Sequence, residues 1–206
     1  IFVALTGKQI DAARRHLRKA GEVMREIIHR VGPVKLRLEQ NRFAMLVRSI
    51  ISQQISTSAA RSIRGRLEDL LAPGSITPGD IVTLKAQQLR SVGLSGQKVS
   101  YIQDLAGRVH SGEVNLRQIG RLTDERVIEQ LTRVRGIGHW TAQMFLMFSL
   151  GRPDVFPHGD LGIRSAIRRA YGLDELPDRQ QSMEIAEPWH PHATIASWYL
   201  WRSLEN

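Results

Sequence analysis

A run of apolar residues repeats every three or four positions from residue 43 to residue 55, and this run indicates the fold class. Placed on a helix, the side chains form one stripe that must pack against other elements: Phe43, Leu46, Val47, Ile50, Ile51 and Ile55. We predict that this helix continues to about Leu71, because Pro73 and Gly74 then break it. Since no segment sustains the alternation of a strand, the sequence predicts an all-α protein of about nine or ten helices.

Composition excludes several classes of site. The chain has 206 residues and no cysteine, which excludes disulfides, zinc–cysteine sites and iron–sulfur clusters. No apolar run has the length of a transmembrane helix. Residues 1–5 are apolar but lack the basic region of a secretory signal. We expect a protein inside the cell, in the cytoplasm or nucleoid, with no membrane partner. We also expect a monomer with no required cofactor.

The chain is strongly basic, with 29 Lys and Arg against 20 Asp and Glu and a formal net charge of +9. A basic surface attracts polyanions, and the guanidinium fork of arginine suits phosphate groups. Charge alone leaves two interpretations open, a nucleic-acid-binding protein and a basic protein that is merely soluble.

Two glycines one residue apart, Gly136 and Gly138, separate two helical segments within residues 131–146. Glycine allows backbone angles that other residues avoid, and it lets another molecule come close. Such a turn, followed by a helix start, can present backbone N–H groups to a phosphate oxygen. The alternative is an ordinary helix–helix turn with glycine caps.

This hairpin, together with two later blocks, resembles the helix-hairpin-helix DNA glycosylase superfamily, and most of all its AlkA type, 3-methyladenine DNA glycosylase II. The similar blocks are Leu131–Leu146, Asp154-Val155-Phe156-Pro157 and Gly159-Asp160. The resemblance extends from about Asn41 to about Trp201. It implies a base excision repair enzyme that binds double-stranded DNA, flips out a damaged, alkylated base and cuts its bond to the sugar.

Asp160 precedes a helical segment, so by itself it predicts a helix N-cap. An N-cap also holds a carboxylate rigidly where the helix dipole favours its anionic form. Cleavage of an N-glycosidic bond develops positive charge on the sugar, which a fixed anion stabilises. By resemblance, Asp160 is the catalytic aspartate. Asp154 is the nearest rival, although it has the character of a structural loop residue.

Members of the superfamily that also nick the strand carry a lysine in the hairpin, and the matching position here is Trp140. No lysine follows Lys98. We therefore expect a monofunctional enzyme in which water is the nucleophile.

A flipped base needs flat stacking partners, and Trp140 and Trp198 match aromatic pocket positions of the AlkA type. Either tryptophan could instead belong to the core. Gln54 matches the wedge that fills the gap left by the flipped base, with Gln53 structural. The alternative for Gln54 is a polar helix face. Lys98, near Tyr101, could meet a phosphate or be a solvated loop lysine.

The resemblance also implies contacts made by the hairpin itself. The expected phosphate-binding residues are Gly136, Gly138 and Thr141. A structural Na⁺ or K⁺ would be held by the backbone carbonyls of Thr132, Val134 and Ile137.

We expect two helical lobes with a DNA-binding cleft between them, one of residues 40–151 and the other of residues 1–39 with 152–206. Two other functions stay open. One is a glycosylase for oxidised, deaminated or mismatched bases, and the other is a non-catalytic helix-hairpin-helix DNA-binding protein.

Overall fold

The computed structural model describes residues 5–205, so the apolar N-terminal segment lies outside it except for Leu5. In this range the chain forms no strand, and its regular elements are twelve α-helices and two short 3₁₀ helices, which confirms the all-α class. The α-helices are α1 (Gly7–Leu17), α2 (Glu22–Val31), α3 (Arg42–Ser52), α4 (Thr57–Leu71), α5 (Pro78–Thr83), α6 (Ala86–Ser91), α7 (Gly96–His110), α8 (Asp124–Thr132), α9 (His139–Phe148), α10 (Leu161–Tyr171), α11 (Arg179–Ala186) and α12 (Ala193–Ser203). None of the described helices is long and apolar enough to cross a membrane.

Short polar side chains start most of these helices. Each accepts a hydrogen bond from the backbone N–H three residues later, which satisfies a donor that the helix itself leaves unpaired. The residues that cap in this way are Thr6, Asn41, Ser56, Thr77, Ser95, Thr123, Asp160 and Asp178.

The predicted single helix from Phe43 to about Leu71 is wrong, because the chain turns between α3 and α4. Gln53 leaves the helical region, Gln54 has a φ of 56°, and Ser56 caps the next helix. Ile55 therefore falls in the turn and is 38% exposed, whereas the other residues of the apolar stripe are buried. A polar Ser-Gln-Gln segment interrupts the apolar pattern, and the cap that Ser56 forms starts a new helix after it.

Contacts divide the chain into two compact units. One unit is Glu39–Phe145, where α3 packs on α4 and α7, and α5 and α6 also pack on α7. Its buried core includes Leu46, Ile50, Leu67, Ile81 and Leu105. The sequence predicted a lobe of residues 40–151, and the observed unit ends within α9 instead.

The other unit is Ile1–Leu38 with Leu146–Asn206. Helix α12 packs there on α1, α2 and α10. The core of this unit is rich in aromatic and branched side chains, among them Ile27, Ile167, Trp189 and Tyr199. Because α12 is almost wholly buried, its backbone gives a rigid base to the side chains at its ends.

Candidate nucleic-acid interface and carboxylate site

The hairpin between α8 and α9 requires glycine at position 136. Gly136 has a φ of 81°, and a Cβ there would stand 2.0 Å from Cδ2 of Tyr101. The tyrosine ring thus fills the space that a side chain would need. The turn is closed by a hydrogen bond from the Ile137 N–H to the Val134 carbonyl, 3.1 Å long.

Gly138 has a different environment, because a Cβ at this position would meet no atom within 4 Å. Packing inside the chain therefore does not require a glycine here, whereas close approach by another molecule would. The Gly138 carbonyl accepts the Ala142 N–H at 3.1 Å, so α9 starts directly after this glycine. The first N–H groups of a helix have no acceptor within that helix. Thr141 is only 4% exposed, which suits a buried helix position better than an open side-chain contact with phosphate.

Asp104 of α7 anchors the start of the hairpin. Its carboxylate accepts the Arg135 N–H at 2.9 Å, and it forms ion pairs with the guanidinium groups of Arg108 at 3.1 Å and Arg135 at 3.6 Å. Burial raises the pKa of Asp104, but these hydrogen bonds and positive charges together outweigh burial and lower the pKa below its usual value. Sequence reasoning missed Asp104, since no local pattern links it to a turn 31 residues away.

The turn at residues 53–56, here called the wedge turn, contacts the hairpin directly. The Gln53 side-chain amide donates to the Gly136 carbonyl at 2.8 Å, which supports its interpretation as structural. Lys98 Nζ donates to the carbonyls of Ile51 and Gln53, both at 2.7 Å. Burial lowers the pKa of Lys98 below its usual value. These contacts are with backbone carbonyls of the protein itself, which does not fit the solvated-loop alternative for Lys98.

Trp140 is 47% exposed at the start of α9. It lines a cavity of about 590 Å³ whose other walls come from the wedge turn, α3 and the segment preceding that helix: Glu39, Met45, Arg48, Ser49, Ser52, Gln53 and Gln54. Arg48 and Glu39 form an ion pair in this wall. An exposed indole beside a cavity has the chemistry to stack a flat ligand.

Asp160 caps α10, as the sequence predicted. Its Oδ1 accepts the Ile163 N–H at 2.8 Å and the Trp201 indole N–H at 2.9 Å. Trp201 packs on Phe148 with ring centroids 5.8 Å apart. A Cβ on Gly162 would lie 3.0 Å from Oδ1 of Asp160 and 3.1 Å from the Trp201 ring. The carboxylate is therefore held by a main-chain donor, an indole donor and close packing, all within one unit.

Trp198 is only 6% exposed and belongs to the core. Its ring packs edge to face on Tyr199 at 5.1 Å, and the Arg202 guanidinium lies 5.6 Å from the ring centroid. This environment favours the core alternative for Trp198. The tryptophan that contacts Asp160 is Trp201, three residues further along α12, and sequence reasoning missed it. The repeated tryptophan in this segment was the available signal.

Asp154 accepts hydrogen bonds from His190 Nδ1 at 2.7 Å and from the Ala193 N–H at 3.1 Å. It therefore braces the start of α12, which supports its interpretation as a structural residue. Among residues 5–205 no cluster of three or more His, Asp or Glu side chains could hold a metal ion.

Helices α8 and α9, joined by the tight glycine hairpin, form a helix-hairpin-helix motif, and the helix-capping Asp160 follows this motif in the sequence. The sequence model described as "HhH-GPD superfamily base excision DNA repair protein" matches residues 47–191. The chain therefore belongs to the HhH-GPD superfamily of base excision DNA repair proteins.

Named relatives agree with this membership. DNA-3-methyladenine glycosylase 1 of Schizosaccharomyces pombe (strain 972) is 32% identical over 94% of this chain and 87% of its own length. YfjP of Bacillus subtilis (strain 168) is 33% identical over 82% of this chain, and the match spans only 61% of YfjP. The solved S. pombe 3-methyladenine DNA glycosylase (Mag1), in complex with abasic DNA, aligns with a TM-score of 0.86 and 32% identity over 95% of this chain and 97% of that one.

Proposed function

We propose that this chain is a monofunctional DNA glycosylase that flips alkylated bases, of the 3-methyladenine and 7-methylguanine type, out of duplex DNA and excises them by hydrolysis. The S. pombe relative is a DNA-3-methyladenine glycosylase, and the similar solved S. pombe structure contains abasic DNA, which is the product of such a reaction. The proposed partner is therefore double-stranded DNA with damaged bases. The protein would act in the cytoplasm or nucleoid, and its proposed oligomeric state is a monomer.

The observation that carries this proposal is the double hydrogen bond to one oxygen of Asp160. Two N–H donors at 2.8 and 2.9 Å fix the carboxylate before any substrate arrives. As the bond from base to sugar breaks, positive charge grows on the deoxyribose. A preorganised anion stabilises that charge without reorganisation. The same carboxylate can orient the water that attacks the sugar.

Alkylated purines suit a site of this kind. A purine alkylated at N3 or N7 already carries positive charge, so it leaves with little help from a general acid. The exposed indole of Trp140 would stack the flipped base, because aromatic faces favour cationic rings. We leave Trp198 out of the stacking pair because it is buried, and we assign Trp201 to the orientation of Asp160.

Gln54 is the proposed wedge. It is exposed in the wedge turn and also lines the cavity of Trp140. A glutamine that enters the stack can bond to the base left without its partner. The hairpin at Gly136 and Gly138 would grip the phosphate backbone through main-chain N–H groups, with a contribution from the N–H of Thr141.

Water is the proposed nucleophile. Hairpin position 140 carries tryptophan, and no lysine follows Lys98 in the sequence, so this region supplies no amine for a Schiff base. Base release should therefore leave an intact abasic strand.

The hairpin also fits a structural Na⁺ or K⁺. Thr132 is the last residue of α8, so no backbone N–H of the helix donates to its carbonyl. The negative end of the helix dipole and the carbonyls of Val134 and Ile137 would complete an oxygen donor set suited to a hard monovalent ion. The ion would steady the turn against a phosphate.

The test is a base-release assay on duplexes that each carry one lesion: 3-methyladenine, 7-methylguanine, hypoxanthine, ethenoadenine or 8-oxoguanine. We expect the wild type to release alkylated bases and to leave abasic DNA that breaks only after alkali treatment. Asp160→Asn should bind the same DNA and release the base much more slowly. Release of 8-oxoguanine alone would favour the oxidised-base alternative. Strand cleavage without alkali would contradict the monofunctional mechanism, and tight binding without release by the wild type would indicate a DNA-binding protein.

A further inference from the structure

One face of α7 touches both turns that the proposed function places on DNA. Lys98, Tyr101 and Asp104 are spaced three residues apart, so their side chains lie along the same side of the helix. Lys98 reaches the wedge turn, Tyr101 packs under Gly136, and Asp104 holds the Arg135 N–H.

The contact at Lys98 fixes the backbone immediately before the wedge. An ammonium group has three donors, and two of them go to the carbonyls of Ile51 and Gln53. These carbonyls end α3, where a positive charge is favourable. The next residue, Gln54, has a φ of 56°, a conformation that residues other than glycine seldom adopt and that its surroundings must hold in place.

The contacts at Gly136 fix the hairpin to the same helix. The Tyr101 ring occupies the place of a side chain at Gly136, and the Tyr101 hydroxyl accepts a hydrogen bond from Gln97 at 2.6 Å. Gln53 then joins the two turns, because its amide donates to the Gly136 carbonyl while its own carbonyl accepts from Lys98. The chain Lys98–Gln53–Gly136 is thus a continuous set of hydrogen bonds.

We infer that Lys98 is a positioning residue that keeps the wedge turn in register with the hairpin, so that gripping the phosphate backbone also aims Gln54 at the base stack. This inference rests on the proposed function. It assigns to Lys98 a role inside the protein, and it predicts that Lys98 makes no contact with phosphate. A displacement of about 1 Å can lower the rate of a positioned reaction about 100-fold.

The decisive variant is Lys98→Met, which keeps the length of the side chain and removes the ammonium group. We expect its affinity for undamaged duplex, and the salt dependence of that affinity, to match the wild type. We expect the single-turnover rate of base release to fall about 10- to 100-fold. The fluorescence rise of 2-aminopurine, placed beside a tetrahydrofuran abasic analogue, should also be smaller, because the wedge no longer enters the stack correctly.

Loss of a phosphate contact would give a different result. The slope of log affinity against log salt would become shallower by about one unit, and undamaged duplex would bind more weakly. That outcome, or an unchanged fluorescence rise, would overturn the inference. Lys85→Met is the matched control, since Lys85 is an exposed lysine of the same unit. Lys98→Arg keeps donors at this position and should retain more of the rate than Lys98→Met.

If Lys98→Met does not fold, as judged by its thermal transition, Gln53→Ala gives the same readouts by removing only the bond to Gly136. The fluorescence and salt measurements need no base release. A wild type that distorts the duplex but releases no lesion would therefore contradict the proposed function, while the fluorescence of Lys98→Met would still decide the positioning role.

Discussion

The turns that carry Asp154 and Asp160 hold their carboxylates in similar ways and yet support different roles. Each carboxylate accepts one backbone N–H at the start of a helix and one N–H from an aromatic ring. The ring donor is the indole of Trp201 for Asp160 and the imidazole of His190 for Asp154.

The difference lies in what each carboxylate is attached to. Asp160 caps its own helix, three residues before the donor, and its partner Trp201 holds a proton at every accessible pH. Asp154 reaches 39 residues along the chain to the start of α12. The first arrangement presents an oriented anion, whereas the second ties two segments together. The two aspartates therefore share the same kinds of donor but differ in what they connect.

The largest expected effect comes from removing the charge of Asp160. Asp160→Asn should lower the single-turnover rate of base release by about 10²- to 10³-fold, because the proposed mechanism uses this preorganised charge to stabilise the reacting sugar. Asp154→Asn, its matched control, should leave the rate close to that of the wild type. Quenched-flow measurement of base release on a 7-methylguanine duplex compares the two. Equal losses in both variants would show that the contrast between the two turns is mistaken.

A smaller effect on rate is expected from Trp201→Phe, which keeps an aromatic ring on Phe148 but removes the donor to Asp160. The rate should fall about 10-fold, since the carboxylate loses part of its fixed orientation. Trp198→Phe is the control, because Trp198 lies in the core and should change the melting temperature more than the rate. A rate that responds to Trp198 and not to Trp201 would reverse our assignment of the two tryptophans.

Asp154→Ala should act on stability. Loss of its bond to the Ala193 N–H at the start of α12 should lower the free energy of unfolding by about 1 kcal/mol. Urea denaturation measures this difference, and Asp174→Ala at an exposed position is the control. An unchanged denaturation midpoint would mean that Asp154 does not brace α12.

The smallest expected effect is a dependence of stability on pH near the Asp154 turn. Burial first, and then the neighbouring His16, lower the pKa of His192 below its usual value of 6.5, against the opposing influence of Asp154. The unfolded chain therefore takes up a proton at His192 more readily than the folded chain. This contribution to stability is fully present above pH 6.5 and declines as the pH falls towards the lowered pKa.

Melting temperatures measured from about pH 8 down to about pH 5 should show this decline, and His192→Gln should make it smaller. The proposed reaction does not use His192, so the base-release rate of His192→Gln should follow the same pH profile as the wild type. A steeper decline in His192→Gln would contradict the direction given for the pKa of His192.

Local signals predicted much of the candidate site. The Gly136 turn and the Asp160 cap depend on residues within three or four positions, so their geometry could be derived from sequence. The break at Gln54 was missed because the apolar spacing on both sides suits one continuous helix. Ile55 also fits that spacing, and only the conformation of the turn between α3 and α4 exposes it.

Contacts between distant residues could not be predicted from any local pattern. Trp201 and Asp160 are 41 positions apart, and Gln53 and Gly136 are 83 positions apart. Lys98 was left between two surface roles because nothing near it in the chain identifies the carbonyls that it binds.

The sequence by itself determined the helical class, the glycine bend and the cap at Asp160, because the backbone preferences of a residue and its next few neighbours suffice for these features. Only the tertiary structure decided which tryptophan meets the carboxylate and which lysine holds the wedge turn. Those choices depend on how buried helices pack, and packing brings together side chains that the linear order leaves far apart.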